Sequence, residues 1–235
     1  CFNSPRLASV SAELSSLGSR TCVILNGSDV PRQAETTVIP NSRPLRLRHF
    51  GSLYVGRTVL PLVQALDDLI ASGAVGRDEV EVDLIGDIES LAKAEQLKST
   101  RVIVNFTPHL KFSEAAKLMG EPSVLICMQT DLHVNLIPTK LFDYLCTGNP
   151  ILALSSAASA TWDISSQYRR SYRLDLESAE WNREVLLRLI ETWRRGELRQ
   201  ESAVDDTRHL GKEMLGAEFV RLVERIAANG SPARR

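Results

Sequence analysis

The chain of 235 residues lacks the features that would assign it to a membrane or to a nucleic acid. Its longest apolar runs, 124–128 and 151–154, are far too short to span a bilayer. The 28 basic and 29 acidic residues leave a net charge of −1, so nothing favours a polyanionic partner. The four cysteines form no C-x-x-C pair, which is typical of a reducing cytoplasm. We therefore expect a cytoplasmic protein with no transmembrane segment and no nucleic acid partner.

The common catalytic and metal-binding motifs are also absent. The four histidines, at 49, 109, 133 and 209, show no two-histidine metal spacing. There is no phosphate-binding Walker loop, no G-x-S-x-G elbow and no dinucleotide fingerprint. The sequence therefore predicts no metal and no cofactor, and it identifies no catalytic acid, base or nucleophile.

Short apolar, β-branched runs alternate with helical patterns over most of the chain. The predicted strands are 22–25, 45–53, 80–85, 102–106, 124–128, 151–154 and 172–176. The predicted helices between them are 59–71, 88–98, 113–119, 138–147 and 156–168. This alternation indicates an α/β fold with a doubly wound, Rossmann-like parallel sheet covered on both faces. Two further helices, 180–195 and 212–228, follow the sheet.

One of these helices is marked clearly by its ends. Pro138 suits a first helical turn, and Gly148 with Pro150 predicts the stop, which gives a helix of about ten residues. Helical spacing places one group of side chains inside and leaves a second group on a face that could bind a ligand. The inner group is Leu141, Phe142 and Leu145, and the outer group is Lys140, Asp143 and Thr147.

Lys140 is unusual because a cation in a first helical turn opposes the helix dipole. A bound phosphate would remove this conflict, since helix amino ends after a strand and a loop are good phosphate sites. The alternative is that Lys140 extends into water or pairs with Asp143. The local pattern does not decide between the two interpretations.

Four segments, in order, carry a resemblance to a known family. The run 138–154 is similar to the P-x-K-x-[FY]-[ED]-Y-L-x-x-G-x-P-[IV]-[IL]-A segment of GT-B glycosyltransferases of the glycogen-synthase-like retaining superfamily. The run 23–29 resembles the V-I-P-N-G-V-D that closes their N-terminal domain, and 50–57 resembles the Y-x-G-x-L-x-x-G-R that opens their C-terminal domain. Residues 102–127 resemble the strand, helix and strand that come before the helix at 138–147. The resemblance covers residues 20 to 195.

The resemblance implies a donor site for a nucleotide-diphosphate sugar. It assigns Gly51, Arg57 and Lys140 to the diphosphate, although the lysine that usually follows Arg57 is absent. It assigns Asp143 to the ribose and Asn135 to the sugar, and Asn135 stands where the family has an acid. Residues that would contact the base are Pro108, His109 and Leu110, with Pro108 in place of a usual glycine.

The function implied is transfer of a hexose-type sugar to a sugar or lipid-linked acceptor that a missing N-terminal domain would bind. Residues 1–40 would be the remnant of that domain with its linker, 41–211 the donor-binding domain, and 212–235 a terminal helix and tail. We therefore expect an inactive fragment, an exposed apolar patch around Phe219, Leu222 and Ile226, and any inner-membrane contact through the missing domain. Two alternatives stay open, a non-catalytic binding module of the same fold and a nucleotide-sugar epimerase.

Overall fold

The computed structural model describes residues 3–14, 22–53, 57–87, 97, 100–129 and 131–230. Its strands are β1 (Thr37–Val38), β2 (Leu45–Phe50), β3 (Val80–Ile85), β4 (Ile103–Thr107), β5 (Val124–Met128), β6 (Ile151–Leu154), β7 (Ser171–Leu174) and β8 (Arg199–Gln200). Its helices are α1 (Pro5–Leu14), α2 (Leu60–Ala71), α3 (Phe112–Met119), α4 (Thr139–Cys146), α5 (Ala160–Ser165), α6 (Ala179–Arg194) and α7 (Lys212–Gly230). The predicted helix 88–98 lies almost wholly outside the described residues.

Six strands form one parallel sheet in the order β4-β3-β2-β5-β6-β7. Leu47 on β2 pairs with Val82 on β3 on one side and with Val124 on β5 on the other. The chain therefore builds the sheet outward from β2 in one direction and then from β5 in the other. The gap between the carboxyl ends of β2 and β5 is the switch point, where α/β sheets of this topology bind their ligands.

The two faces of the sheet bury separate hydrophobic clusters, which confirms the doubly wound prediction. One cluster packs α2 and α6 against side chains such as Leu47, Val82 and Ile126. The opposite cluster packs α3, α4 and α5 against Leu125, Cys127 and Ile151 and their neighbours. Strands β5 and β6 are buried at every position, as expected for parallel strands covered on both sides.

The segment 28–44 has prolines and small polar residues that predict a linker or exposed loop. In the structure it packs against the rest of the domain. Strand β1 pairs antiparallel with β8, and Val30 and Ile39 are buried. Gln33 N–H donates to the carbonyl of Cys146 at the end of α4. The predicted strand at 22–25 does not form, although Ser28 makes an isolated bridge with Gly211. Apolar anchors such as Val30 explain why this stretch stays packed.

The terminal helix α7 is the least covered part of the described fold. Phe219 is 49% exposed and Ile226 is 63% exposed, with Val220 and Val223 between them also exposed. Leu222 is half-buried. The predicted apolar patch is therefore present at Phe219 and Ile226, because α7 reaches the rest of the domain mainly at its amino end.

The prediction for α4 is correct for its inner face, and on its outer face it is wrong at Thr147. Leu141, Phe142 and Leu145 are fully buried, as expected. Thr147, however, is also buried, and its hydroxyl donates to the carbonyl of Tyr144. The helix has eight residues rather than about ten, with Pro138 just before the first turn. Gly148 ends it with φ of +69°, as predicted.

Candidate functional site

A cleft of about 300 Å³ opens at the switch point of the sheet. Its floor is the carboxyl end of β5, where Met128 and Gln129 lie, and one wall is the amino end of α4 with Pro138 and Thr139. Arg57, from the segment after β2, also lines it. A guanidinium and the positive end of a helix therefore face the same space, which favours an anionic group in the cleft.

The turn at Gly51 follows β2 directly beside this cleft. Its φ of +125° is a conformation that side-chain-bearing residues rarely adopt, and its N–H donates to the carbonyl of Ile85 at 2.7 Å. A Cβ built on Gly51 would stand only 2.1 Å from Nζ of Lys140. Glycine is therefore required here both for the backbone turn and for the close approach of the ammonium.

Two side chains of α4, one turn apart, hold the last residue of β2. Lys140 Nζ donates to the carbonyl of Phe50 at 2.6 Å, and Phe50 N–H donates to the hydroxyl of Tyr144 at 3.1 Å. The rings of Phe50 and Tyr144 also meet edge to face, with centroids 6.4 Å apart. Helix α4 and the Gly51 turn are thus fixed to each other. Tyr144 was not among the predicted site residues, although its spacing of four from Lys140 is visible in the sequence.

The electrostatics of Lys140 show that positive charges are concentrated at this point. Burial lowers the pKa of Lys140 to about 8, and the nearby charge of Arg57 acts in the same direction. Asp143 favours the charged form but does not outweigh these effects. Of the predicted diphosphate residues, Arg57 lines the cleft, whereas Gly51 and Lys140 meet each other at the end of β2 and are not among the residues that line it.

His49 is a further member of this group, and the sequence analysis assigns it no role. It is buried on β2, one residue before Phe50, with Nδ1 at 2.9 Å from the carbonyl oxygen of Ile126. Burial lowers the pKa of His49 to about 3, and Lys140 and Arg57 act in the same direction. The imidazole is therefore neutral at physiological pH. A histidine at the carboxyl end of a buried strand was the one signal available in the sequence.

Asp143 is half-buried, and its Oδ1 accepts a 2.7 Å hydrogen bond from the hydroxyl of Ser28. Burial raises the pKa of Asp143, whereas the Ser28 hydroxyl opposes that rise. Lys212 at the start of α7 contributes in the same sense as Ser28, and it also pairs with Asp29 at 2.7 Å. The predicted ribose acid is thus connected to the segment that precedes the domain.

The other predicted contacts lie at varying distances from the cleft. Asn135 is half-buried in the loop before α4, and it is not among the side chains that form the cleft wall. Pro108 and His109 follow β4 and are exposed, whereas Leu110 packs against the cluster under α4. Since β4 is two strands away from β2, this loop stands at one side of the switch point.

Gln129 organises the loop that leads into α4. Its side-chain amide donates to the carbonyl of His133 at 2.6 Å and to the carbonyl of Leu136, and its Oε1 accepts from the N–H of Thr161 at 3.3 Å.

Within the described part of the chain, no group of three or more His, Cys, Asp or Glu side chains offers a metal site. None of the described helices combines the length and apolar content of a membrane span.

Comparison with solved structures relates this architecture to known proteins. Anabaena HepE in complex with UDP-glucose aligns with 95% of the chain at a TM-score of 0.68, with 14% sequence identity. The chain has the GT-B fold of a glycosyltransferase C-terminal domain. AviGT4, a glycosyltransferase involved in avilamycin A biosynthesis, aligns with 98% of this GT-B chain at a TM-score of 0.59 and 13% identity. WaaG, a glycosyltransferase involved in lipopolysaccharide biosynthesis, aligns with 74% at a TM-score of 0.52 and 18% identity.

The GT-B likeness is one of fold. The chain spans 63% of the HepE and AviGT4 chains and 47% of the WaaG chain. No family model matches the sequence, and no curated protein matches it either.

Proposed function

We propose that this GT-B domain binds the nucleotide-diphosphate sugar donor of a retaining glycosyltransferase. The observation that carries the proposal is that Arg57 and the amino end of α4 line one cleft at the switch point of the sheet, with the charge of Lys140 near enough for Arg57 to lower its pKa. UDP-glucose is bound by HepE, which shares the fold, and this supports the class of ligand. A metal is not part of the proposal.

The electrostatic argument is that a bound anion would offset the repulsion between Arg57 and Lys140. Arg57 lowers the pKa of Lys140, and the positive helix end is unfavourable for the same ammonium. A diphosphate would interact favourably with all three at once, and a guanidinium can bind it through two hydrogen bonds. The repulsion in the unliganded domain therefore becomes affinity for the donor.

The same groups would act in the reaction by stabilising charge. As the bond between the sugar and the diphosphate breaks, negative charge grows on the leaving diphosphate. Donors fixed in place beforehand lower the energy of that charge without reorganising. Arg57 and Lys140 have this role in the proposal, and no acid, base or nucleophile is assigned.

The remaining contacts of the donor belong to the proposal as well. Asp143 would accept a hydrogen bond from a ribose hydroxyl through Oδ2, because Oδ1 already accepts from the Ser28 hydroxyl. Asn135 would hydrogen-bond the sugar, and Pro108, His109 and Leu110 would stand beside the base. Pro108 and Leu110 have no side-chain hydrogen-bonding group. The preference of the site for one nucleotide base would therefore depend mainly on shape and on backbone contacts.

The acceptor, a sugar or a lipid-linked sugar, would bind to a partner domain outside this chain. The chain alone would bind the donor and transfer no sugar. Cys127 and Cys146 are buried thiols outside any disulfide, which supports a cytoplasmic setting. Any contact with the inner membrane would come through the partner domain.

Calorimetric titration with UDP, GDP and dTDP tests the donor site directly. We expect one of these nucleotides to bind, and Arg57→Ala and Lys140→Met each to weaken it at least tenfold, about 1.4 kcal/mol. Arg101→Ala and Lys117→Met are matched controls, because Arg101 pairs with Asp67 at the opposite end of the sheet and Lys117 is exposed on α3. Equal affinities for the wild type and all four variants would contradict the proposal.

Asn135 favours a second candidate, a non-catalytic nucleotide-sugar-binding module. An amide stands where the family resemblance places an acid, so the charge that would contact the sugar is missing. Both candidates predict nucleotide binding by this chain. Sugar transfer by the protein with its acceptor-binding domain would exclude the non-catalytic module.

A further inference from the structure

His49 lies directly behind the proposed phosphate site. It is 1% exposed, lies at the carboxyl end of β2, and is not among the residues that line the cleft. A buried imidazole on a central strand requires a reason, because each of its two nitrogens needs a partner or costs free energy. No phosphate can reach it, so any role must act through a neighbouring group.

One nitrogen of His49 has a clear partner. Nδ1 lies 2.9 Å from the carbonyl oxygen of Ile126 on β5, so Nδ1 must carry the proton of the neutral ring. Nε2 is then a hydrogen-bond acceptor. It is buried and makes no hydrogen bond of ordinary geometry within the described part of the chain, although the backbone of Gly51 lies close to the ring.

Nε2 and the ammonium of Lys140 both lie beside Gly51. The position of a Cβ on Gly51 would be 2.1 Å from Lys140 Nζ and 3.8 Å from His49 Nε2, and no third side chain among the described residues comes as near to that point. The absence of a Cβ leaves the space between the two nitrogens open. A lone pair and a cation that face each other across a short gap attract.

Among the described residues, the charged groups that act on this pair are Arg57 and Asp143. His49 faces Lys140 from α4 and Arg57 from the segment after β2, with the Ile126 and Gly51 carbonyls beside the ring. Lys140 in turn faces Cys127 on β5, Arg57, and Asp143 on its own helix. The Cys127 thiol is protonated, since burial raises its pKa to about 12. With that thiol neutral, the groups near the ammonium that carry negative potential are the Asp143 carboxylate, the Phe50 carbonyl and the imidazole lone pair.

We propose that His49 is the positioning residue for Lys140, holding the ammonium in place beside Gly51 through the Nε2 lone pair. The inference rests on the proposed function, because the benefit of a charged Lys140 is the binding of the donor diphosphate. The Nδ1 hydrogen bond to Ile126 fixes the ring so that Nε2 cannot turn away. The backbone carbonyl of Phe50 accepts a hydrogen bond from the same ammonium and so also fixes its position.

Two substitutions separate the two nitrogens of the ring. The Asn amide stands near the place of Nδ1, so His49→Asn keeps a donor for Ile126 and removes the acceptor beside Lys140. The Gln amide reaches the place of Nε2, so His49→Gln keeps that acceptor. Neither residue titrates, which removes the ionisation of the imidazole from both variants.

The first measurement is the affinity for UDP, GDP or dTDP between pH 6.5 and 9.5. The wild type should lose affinity with a midpoint near the Lys140 pKa of about 8. His49→Asn should lower this midpoint by about one pH unit, with about fivefold weaker binding at pH 8 and less than about twofold at pH 6.5. His49→Gln should stay close to the wild type. A uniform loss at all pH values, or equal curves for both variants, would overturn the inference.

A second measurement needs no nucleotide. The rate at which acetic anhydride labels Lys140, followed by mass spectrometry against pH, gives its pKa in the unliganded protein. We expect the labelling midpoint to fall in His49→Asn and not in His49→Gln. If no nucleotide binds but this shift occurs, the proposed function fails and the His49–Lys140 relationship stands. If the midpoint is unchanged and nucleotide binding is normal, the role of His49 is refuted and the proposed function stands.

Discussion

Lys140 on α4 and Phe50 on β2 are joined by a 2.6 Å hydrogen bond from the ammonium to the backbone carbonyl. The bond holds the ammonium beside Gly51, between α4 and β2. Because Tyr144 holds the N–H of the same residue, a shift of α4 would move the Gly51 turn with it. The two halves of the proposed phosphate site therefore form one rigid unit.

Gly51→Ala should damage this unit in two ways. Alanine at φ of +125° is strained by about 1 to 3 kcal/mol, and its Cβ would displace the Lys140 ammonium from Phe50. We expect a lower melting temperature and nucleotide binding weakened by about tenfold or more, measured by differential scanning fluorimetry and calorimetry.

Gly73→Ala is the matched control for this substitution. Gly73 also has a positive φ, of +75°, but a Cβ there would meet nothing within 4 Å. It should cost about 1 kcal/mol of stability from backbone strain alone and leave the nucleotide affinity unchanged. If both alanine variants bind nucleotide equally well, Lys140 is not held as described.

Ser28→Ala should destabilise the domain through Asp143. The hydroxyl donates to a half-buried carboxylate and accepts from the N–H of Val30, and hydrogen bonds to charged groups contribute about 1.5 to 3 kcal/mol. Urea denaturation at neutral pH should show a loss of about 2 kcal/mol. In an Asp143→Asn background the same substitution should cost much less, and equal costs in the two backgrounds would rule out the coupling.

Acid should destabilise the protein through His49. Its folded pKa of about 3 lies below the ordinary value of 6.5, so between these pH values the unfolded chain binds a proton that the folded chain does not. Stability from this group is complete above pH 6.5 and falls as the pH drops toward 3. The loss between about pH 7 and pH 5 should be about 2 kcal/mol.

His49→Asn is the variant that checks this acid dependence. It keeps a donor for Ile126 and does not titrate, so its free energy of unfolding should change less between neutral pH and about pH 5. Urea denaturation of both proteins at the two pH values measures the difference. The same acid loss in wild type and variant would assign the effect to other groups.

The fold could be predicted from the sequence because the apolar runs and the helix-stop residues match the elements that the packed structure contains. Buried runs such as 124–128 and 151–154 became central parallel strands, and Gly148 ended α4 with a positive φ. The meeting of Arg57 with Lys140 could also be expected, since both follow strands that end at the same edge of the sheet. Topology alone brings such residues close together.

The contacts that refine the site could not be predicted, because they depend on side chains from distant segments. Ser28 reaches Asp143 across 115 positions, and nothing in its local pattern indicates that partner. Helical spacing puts Thr147 on an open face, but the segment around Gln200 covers the end of α4 and buries it. The role of His49 depends on the register between β2 and β5, which the sequence does not encode locally.

Proton uptake on nucleotide binding is the sharpest test of the proposed phosphate site. A diphosphate beside Lys140 should raise its pKa from about 8 toward its ordinary value, so binding at about pH 8 should take up about half a proton. Titrations in buffers of different ionisation enthalpy measure this number, with Lys140→Met as the control that should take up none. We expect uptake of about half a proton by the wild type alone. The same uptake in both proteins would show that Lys140 does not meet the diphosphate.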